Sequence, residues 1–210
     1  MEKLQFLPAR AGLFGTLFIL SFILLALHSP TRAHAGLGTL THFIAPGEFS
    51  LGADIDLTLT SGAGVAGNLK FTQGVNELVN MTAVLGSGSG PRRFRVGGNM
   101  IIDFIPDIDG QPGMGFAIQG IYFRLPDSGQ LELTGIPYLH KTFVSGNNEI
   151  EPFLGLPLGA AFSEGRYRAL SQVVAGSMFK SSAKFRYTME FGIAVNNTES
   201  YIAGGITYYP

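Results

Sequence analysis

The sequence predicts an all-β protein, a transmembrane up-and-down antiparallel β-barrel of about ten strands, with eight strands as the alternative. The first observation is the stretch Phe49–Thr60, in which apolar residues alternate with small or polar ones. Successive side chains of a strand point to opposite faces, so this stretch has one apolar and one polar face. It is also long, since a tilted transmembrane strand needs about 9–11 residues and a soluble strand averages about 5–6. Finally, no apolar run beyond residue 35 could form a spanning helix, and membranes admit only helices or closed barrels.

Residues 1–35 are predicted to be a signal peptide that directs export. Lys3 and Arg10 precede the uncharged apolar run Leu13–Leu27, and Ala33-His34-Ala35 has the small-x-small form of a cleavage site. A transmembrane anchor is the alternative, but the run is short for a span of about 20 residues. Cleavage is therefore expected after Ala35. Residues 36–46 are then an N-terminal lead-in, either periplasmic or capping the barrel, and residues 47–210 are the barrel domain.

Composition narrows the classes of function. The chain has 29 Gly, 14% charged residues, 46% hydrophobic residues and a net charge of −1, which gives nucleic-acid binding no electrostatic support. It has no cysteine, so disulfides, thiol nucleophiles and thiolate metal sites are excluded. No cofactor and no metal site are predicted.

Nine further stretches with the same alternation follow the first, separated by turns rich in Gly, Asn, Ser, Pro or Asp. By number they are 64–72, 78–86, 94–105, 113–124, 130–144, 149–162, 169–179, 185–196 and 199–209. The short loops predict three pairings of apolar residues: Leu59 with Val65, Leu139 with Leu156, and Ile193 with Ile202. Pro137 and Pro157 fall inside strands and each removes a ladder donor, so we expect bulges there, or strands that extend above the bilayer.

The two faces of the barrel are assigned from their charges. The polar face carries both signs: Asp54, Asp56, Lys70, Arg95, Asp103, Glu132, Arg186 and Glu190. Burying these residues in an apolar-lined cup, as a soluble lipocalin-like carrier requires, is costly. We therefore expect them to form a charge network in the lumen, with the apolar face toward lipid. Aromatic residues near the strand ends of the apolar face match the girdles of membrane barrels.

The last strand, 200–209, ends in aromatic residues, and residues 152–159 contain a Pro-aromatic-x-Gly sequence. With the signal peptide and about ten alternating strands, these features resemble small bacterial outer-membrane barrels of the OmpA-like, OmpW-like and opacity-type families. The resemblance implies residence in the cell outer membrane and a final strand recognised by the barrel-assembly machinery. The chain ends in Pro210 where those families have an aromatic residue, so Tyr208 and Tyr209 are expected to replace it.

With the N-terminus in the periplasm, four arginines fall in outer turns, near the phosphates of lipopolysaccharide: Arg92, Arg93, Arg166 and Arg168. Arginine matches phosphate geometry well, but simple solvation of the loops is an equal alternative.

The predicted function is a non-enzymatic envelope protein or narrow passive pore. The alternatives are a soluble periplasmic carrier and an outer-membrane lipid-modifying enzyme. The second would have to use His140-Lys141-Thr142 with Glu132 or Glu151, the only such cluster in the sequence.

Overall fold

The structure is a computed structural model that describes residues 43–60, 64–89, 94–108, 110–124 and 128–210. The predicted signal peptide, most of the lead-in, and Arg92 and Arg93 lie outside the described residues. Within these ranges no helix is long and apolar enough to cross a membrane.

The described residues form twelve β-strands in a single sheet. Their bounds are β1 Phe49–Thr58, β2 Val65–Asn76, β3 Val79–Gly88, β4 Phe94–Ile105, β5 Gly113–Arg124, β6 Gly129–His140, β7 Phe143–Ser145, β8 Asn148–Gly155, β9 Leu158–Ser163, β10 Arg166–Lys180, β11 Phe185–Asn196 and β12 Tyr201–Tyr208.

The sheet closes into a barrel because β1 pairs with both β2 and β12, which places Leu51 opposite Phe71 on one side and Tyr208 on the other. β6 and β7 pair with β8 in one continuous register, and β8 and β9 pair with β10 in another. Each of these two couples therefore makes one barrel strand, and the described residues form ten. The predicted ten-stranded antiparallel barrel is confirmed, and the alternative of eight strands is wrong. We call the end where β1 begins and β12 ends the N-terminal mouth, and the other end the opposite mouth.

The three predicted pairings at the hairpins are each displaced by two residues. The observed pairs are Leu57 with Val65, Leu139 with Leu154, and Phe191 with Ile202. A shift of two keeps every side chain on its face, so the alternation of residue types cannot detect it. In the hairpin between β7 and β8, the turn is centred on Gly146 and Asn147, and Gly146 adopts a positive φ of 62°.

The prediction of bulges at Pro137 and Pro157 is wrong, because the registers run through both residues without a shift. Each proline still accepts a ladder hydrogen bond through its carbonyl: Leu156 N donates to Pro137 O at 3.0 Å, and Gln172 N donates to Pro157 O at 3.0 Å. The missing donor of Pro157 marks the break between β8 and β9. Register shifts occur instead at Gly74/Asn76, Asp103/Ile105 and Ser171/Gln172.

The outer surface of the barrel is apolar and the interior holds the charges. Large apolar side chains on the outside are 36–74% exposed, among them Leu69, Leu85 and Ile118. Inward-facing residues of the same strands are buried, as Asp56 and Asn68 show. A soluble carrier requires the opposite arrangement, since water would contact the apolar surface. These two faces define a transmembrane barrel whose exterior meets lipid.

Candidate functional site

The barrel interior has an apolar region and a polar region. The apolar region lies against β4, β5, β6, β8 and β10 and consists of Ile101, Ala117, Ile136, Tyr138, Phe153, Val174 and Met178. The polar region lies along β1 and β2 and includes Arg95 of β4. Smaller buried apolar clusters lie elsewhere in the interior: Val84 with Ile121 and Phe123, Ala161 with Leu170, and Tyr201 with Ala203. Sequence reasoning predicted charges within the barrel and did not predict this division. The sequence pattern could have shown it, since Ile101 and Ile136 occupy inward positions of their predicted strands.

A cluster of charged side chains lies at the centre of the polar region. Arg95 Nη2 donates to Asp56 Oδ2 at 2.7 Å, and both side chains are at most 1% exposed. Lys70 forms an ion pair with Asp54. Asn68 connects the two pairs, because its Nδ2 donates to Asp54 and, at 3.2 Å, to Asp56 Oδ2. Opposite charges are thus matched inside the barrel, which offsets part of the cost of their desolvation.

The buried guanidinium of Arg95 depends on Gly86, the residue opposite it on β3. A Cβ atom at position 86 would lie 2.6 Å from Arg95 Nε and 2.3 Å from Asn68 Oδ1. Any larger residue would therefore have to displace the side chains that hold the cluster together.

Two further polar groups line the interior nearer the opposite mouth. The Tyr201 hydroxyl donates to Glu190, and the Tyr201 ring lies over Gly192. On the other wall, Gln130 Nε2 donates to Glu132 Oε1 at 2.6 Å. Glu190 and Glu132, on the two walls, therefore each accept a hydrogen bond from an uncharged side chain.

His140 lies near the N-terminal mouth between two carboxylates. Its Nδ1 is 2.9 Å from Glu151 Oε1, and its Nε2 is 3.2 Å from Asp103 Oδ2. Both ring nitrogens are therefore engaged, and neither is available to activate the Thr142 hydroxyl. Glu132 is eight residues away on the same strand, or about 26 Å at the usual rise per residue. The structure joins His140 to Glu151 but does not bring Thr142, His140 and Glu132 together as the enzyme alternative requires. Among the described residues, no group of three His, Asp or Glu side chains is arranged to hold a metal ion.

The rim of the N-terminal mouth is held by ion pairs between its turns. Lys141 Nζ lies 2.6 Å from Asp107 Oδ1 and also donates to the carbonyls of Ile108 and Gln111, at 2.8 and 3.1 Å. Partial burial raises the pKa of the Asp107 carboxyl, but hydrogen bonds from Lys141 and Thr142 lower it, and the pKa lies below its ordinary value of 3.8. These contacts fix the turn after β4 against the link between β6 and β7.

A second group of rim charges centres on Glu149. Its Oε1 accepts from Arg186 Nη1 at 2.5 Å, and its Oε2 lies 3.1 Å from Lys180 Nζ. The Arg186 guanidinium also lies over the Tyr209 ring, 5.9 Å from its centroid. Sequence reasoning missed Glu149 as a lumen residue, although it occupies an inward position of the predicted seventh strand.

Two small cavities lie inside the barrel. One cavity of about 20 Å³ lies beside Asp54, Lys70 and Glu190 in the polar region. Another of about 20 Å³ lies between Phe43 and His140 near the N-terminal mouth. A volume of about 10–15 Å³ accommodates one water molecule, so each cavity holds about one.

The structure places all the predicted lumen residues on the inner face of the barrel. They are Asp54, Asp56, Lys70, Arg95, Asp103, Glu132, Arg186 and Glu190. Of the arginines predicted to contact lipopolysaccharide, Arg166 is exposed at the opposite mouth. Arg168 is half-buried instead, and its Nη2 lies 3.4 Å from Gln130 Oε1.

A closed barrel with an apolar exterior and a charged interior belongs to the class of transmembrane β-barrels. The sequence matches no family model and no curated protein. Similar solved structures include a de novo designed transmembrane β-barrel, at 14% identity and a TM-score of 0.40, over 80% of this chain and 100% of the other. A bacterial polysaccharide outer membrane secretin matches at 10% identity and a TM-score of 0.44, over 78% and 65% of the two chains. An outer membrane channel from Pseudomonas putida F1 matches at 9% identity and a TM-score of 0.48, over 83% and 98%. The narrower resemblance to the OmpA-like, OmpW-like and opacity-type families stays a prediction.

Proposed function

We propose that this chain is a non-enzymatic barrel of the outer membrane that forms a narrow passive pore for small cations. The observation that carries the proposal is the inner face of β1, which is polar or glycine along its whole length. From the N-terminal mouth to the opposite mouth it presents Ser50, Gly52, Asp54, Asp56 and Thr58. A strand that only filled the barrel would have no need for such a face.

The energetic cost of the buried charges supports the same proposal. A buried ion pair is often no more stabilising than apolar residues of the same volume, because both charges must be desolvated. The apolar region of this barrel is filled with apolar side chains, which carry no charge to desolvate. The polar region instead retains Asp54, Asp56, Lys70 and Arg95. When their ion pairs separate, these side chains are suited to contact water and ions.

The sign of the interior charge favours cations. Carboxylates on the inner face of the described strands include the five predicted ones, and Glu149 and Glu151 add to them. The interior guanidinium and ammonium groups of the described strands are fewer: Lys70, Arg95, Arg168, Lys180 and Arg186. Net negative charge along a narrow passage raises the local concentration of cations and lowers that of anions.

The test is conductance of the refolded mature protein in planar bilayers. We expect small conductance steps. Under a KCl gradient, the reversal potential should lie toward the equilibrium potential of K⁺. Asp54→Asn should weaken the cation preference because it removes a lumen charge. Glu164→Gln is the matched control, since Glu164 is exposed in a turn of the opposite mouth and should leave selectivity unchanged. Anion preference, or an equal effect of both variants, contradicts the proposal.

A structural envelope protein is the second candidate, favoured by the small size of the two interior cavities described above. Each holds about one water molecule, so neither forms a passage while the side chains keep these contacts. Ten-stranded barrels are near the size at which side chains fill the interior. A folded protein that produces no conductance steps in any variant would support this candidate over the pore.

The location and the orientation belong to the same proposal. With the N-terminal mouth in the periplasm, Arg166 meets the phosphates of lipopolysaccharide, and the aromatic end of β12 meets the barrel-assembly machinery. The chain has no cysteine, so single cysteines report orientation cleanly. In intact cells an impermeant thiol reagent should label Ser89→Cys, in the opposite mouth, and should not label Ser182→Cys, in the N-terminal mouth. The reverse pattern would contradict this orientation.

A further inference from the structure

The residues just before β1 do not continue the strand away from the barrel but turn back into it. Gly47 adopts a positive φ of 82°, and Glu48 N donates to Ala45 O at 3.1 Å, which closes a turn. Gly47 N donates to Gly74 O at 3.0 Å, and Gly74 N donates to Glu48 O at 3.0 Å. The chain is thereby fixed to the end of β2 at the point where it changes direction.

Ile44 is the residue that this turn carries inward. It is 3% exposed, although it lies outside every strand. Asn80, on the inner face of β3, is fully buried. In the amide orientation that satisfies both of its polar atoms, Asn80 donates to Ile44 O at 3.2 Å and accepts from Ile44 N at 3.0 Å. One side chain of the barrel wall thus binds both backbone groups of Ile44.

Gly74 permits the close approach of this segment to the wall. A Cβ atom at position 74 would lie 2.1 Å from Ala45 O and 2.7 Å from Ile44 O. Backbone atoms cannot be moved aside as the end of a flexible side chain can, so a larger residue here is incompatible with the observed path.

Phe43 carries the segment across to the other side of the lumen. It lines the small cavity near the N-terminal mouth together with Asp103, His140 and Glu151, which lie on β4, β6 and β8. The contacts of Ile44 are with β3. The segment therefore extends from one wall of the barrel to the other.

We propose that residues 43–46 are a plug, which closes the lumen at the N-terminal mouth and opens it when the contacts to Asn80 and Gly74 are released. Among the described residues, the plug makes fewer hydrogen bonds than the ladders of the barrel wall. It can therefore leave the lumen while the barrel stays folded, as low-stability elements of a structure do. The inference deepens the proposed function and rests on it only where an effect on conductance is expected. Closure of the N-terminal mouth can be measured without conductance.

Closure is tested by thiol labelling, which the absence of native cysteine makes specific. Thr82→Cys is the reporter, because Thr82 is a buried inward residue of β3, two positions from Asn80. Thr58→Cys is the matched control, because Thr58 is equally buried and faces inward at the opposite mouth. Both variants are refolded in detergent and treated with a small cationic methanethiosulfonate reagent.

The plug is released in two independent ways: Asn80→Ala removes its hydrogen bonds, and deletion of residues 36–45 removes most of its length. We expect either change to accelerate labelling at position 82 by about tenfold, which corresponds to about 1.4 kcal/mol of lost closure. Labelling at position 58 should be unchanged. Gly74→Ala should act in the same direction, because its Cβ displaces Ala45 O. Heat-modifiable gel mobility shows that each barrel is folded.

Two failures are distinguishable. Equal labelling at position 82 with and without the segment, in folded barrels, would overturn the plug. Accelerated labelling of a folded barrel that produces no conductance steps with or without the segment would leave the plug intact and overturn the passive pore. Larger or more frequent conductance steps in the deletion variant would support both.

Discussion

Replacing Arg95 tests whether the central charge cluster is held together by pairing. Arg95 is fully buried, and its Nη2 lies 2.7 Å from the buried Asp56 carboxylate. Arg95→Met keeps most of the volume and removes the charge, so Asp56 retains the amide of Asn68 and loses the guanidinium. Removing one partner of a buried pair costs about 3–5 kcal/mol, and we expect a loss of this size in the free energy of unfolding.

The assay is urea unfolding in phospholipid vesicles, followed by far-UV circular dichroism and gel mobility. The double variant Asp56→Asn/Arg95→Met also removes the carboxylate that has lost its guanidinium, so it should recover most of the lost stability. Lys180→Met is the control, since Lys180 pairs with Glu149 but its side chain is 37% exposed. Exposed pairs contribute about 0–1 kcal/mol. If Arg95→Met costs no more than Lys180→Met, or if the double variant is less stable than Arg95→Met, the reasoning is wrong.

Three further predictions concern the lipid face, the interior packing and the rim. Leu69→Arg should lower the free energy of unfolding by about 2–4 kcal/mol, because this outward residue would place a charge in lipid; a change below about 0.5 kcal/mol would contradict a lipid-facing exterior. Gly192→Ala should cost about 1–3 kcal/mol in the same assay, because its Cβ would lie 1.9 Å from the Tyr201 ring; unchanged stability would mean that the ring is free to move. The Asp107–Lys141 contact should be fully present above pH 3.8 and be lost as the pH falls through the lower folded pKa of Asp107. Limited proteolysis of the turn after β4 should accelerate only at that low pH, and acceleration already near pH 5 would contradict the lowered pKa.

Alternation of residue types was enough to predict the barrel and the inward face for the eight predicted lumen charges. Asp54 and Asp56 alternate with Ile55 and Leu57, and a period of two assigns each to one side of a sheet. The same reasoning could not supply the pairing registers. Sliding Val65 from Leu59 to Leu57 leaves every residue on its own face, so both registers satisfy the same sequence pattern.

The two prolines illustrate a different limit. Pro137 and Pro157 each lack a donor, and we expected either bulges around them or strands that extend above the bilayer. In the structure their carbonyls keep their hydrogen bonds, and the register is the same on both sides of each proline. One missing bond in a long ladder is tolerated because the neighbouring pairs on both sides hold the register.

The alternation of residue types predicts the strands, their inward and outward faces and their number. It can do so because this alternation depends only on the direction in which each side chain leaves the backbone. The partner of each charge depends instead on how the closed sheet brings distant strands together. Asp56 meets Arg95, His140 lies between Asp103 and Glu151, and Ile44 meets Asn80. These contacts join residues far apart in the chain, and they exist only once β1 has paired with β12 and the barrel has an inside.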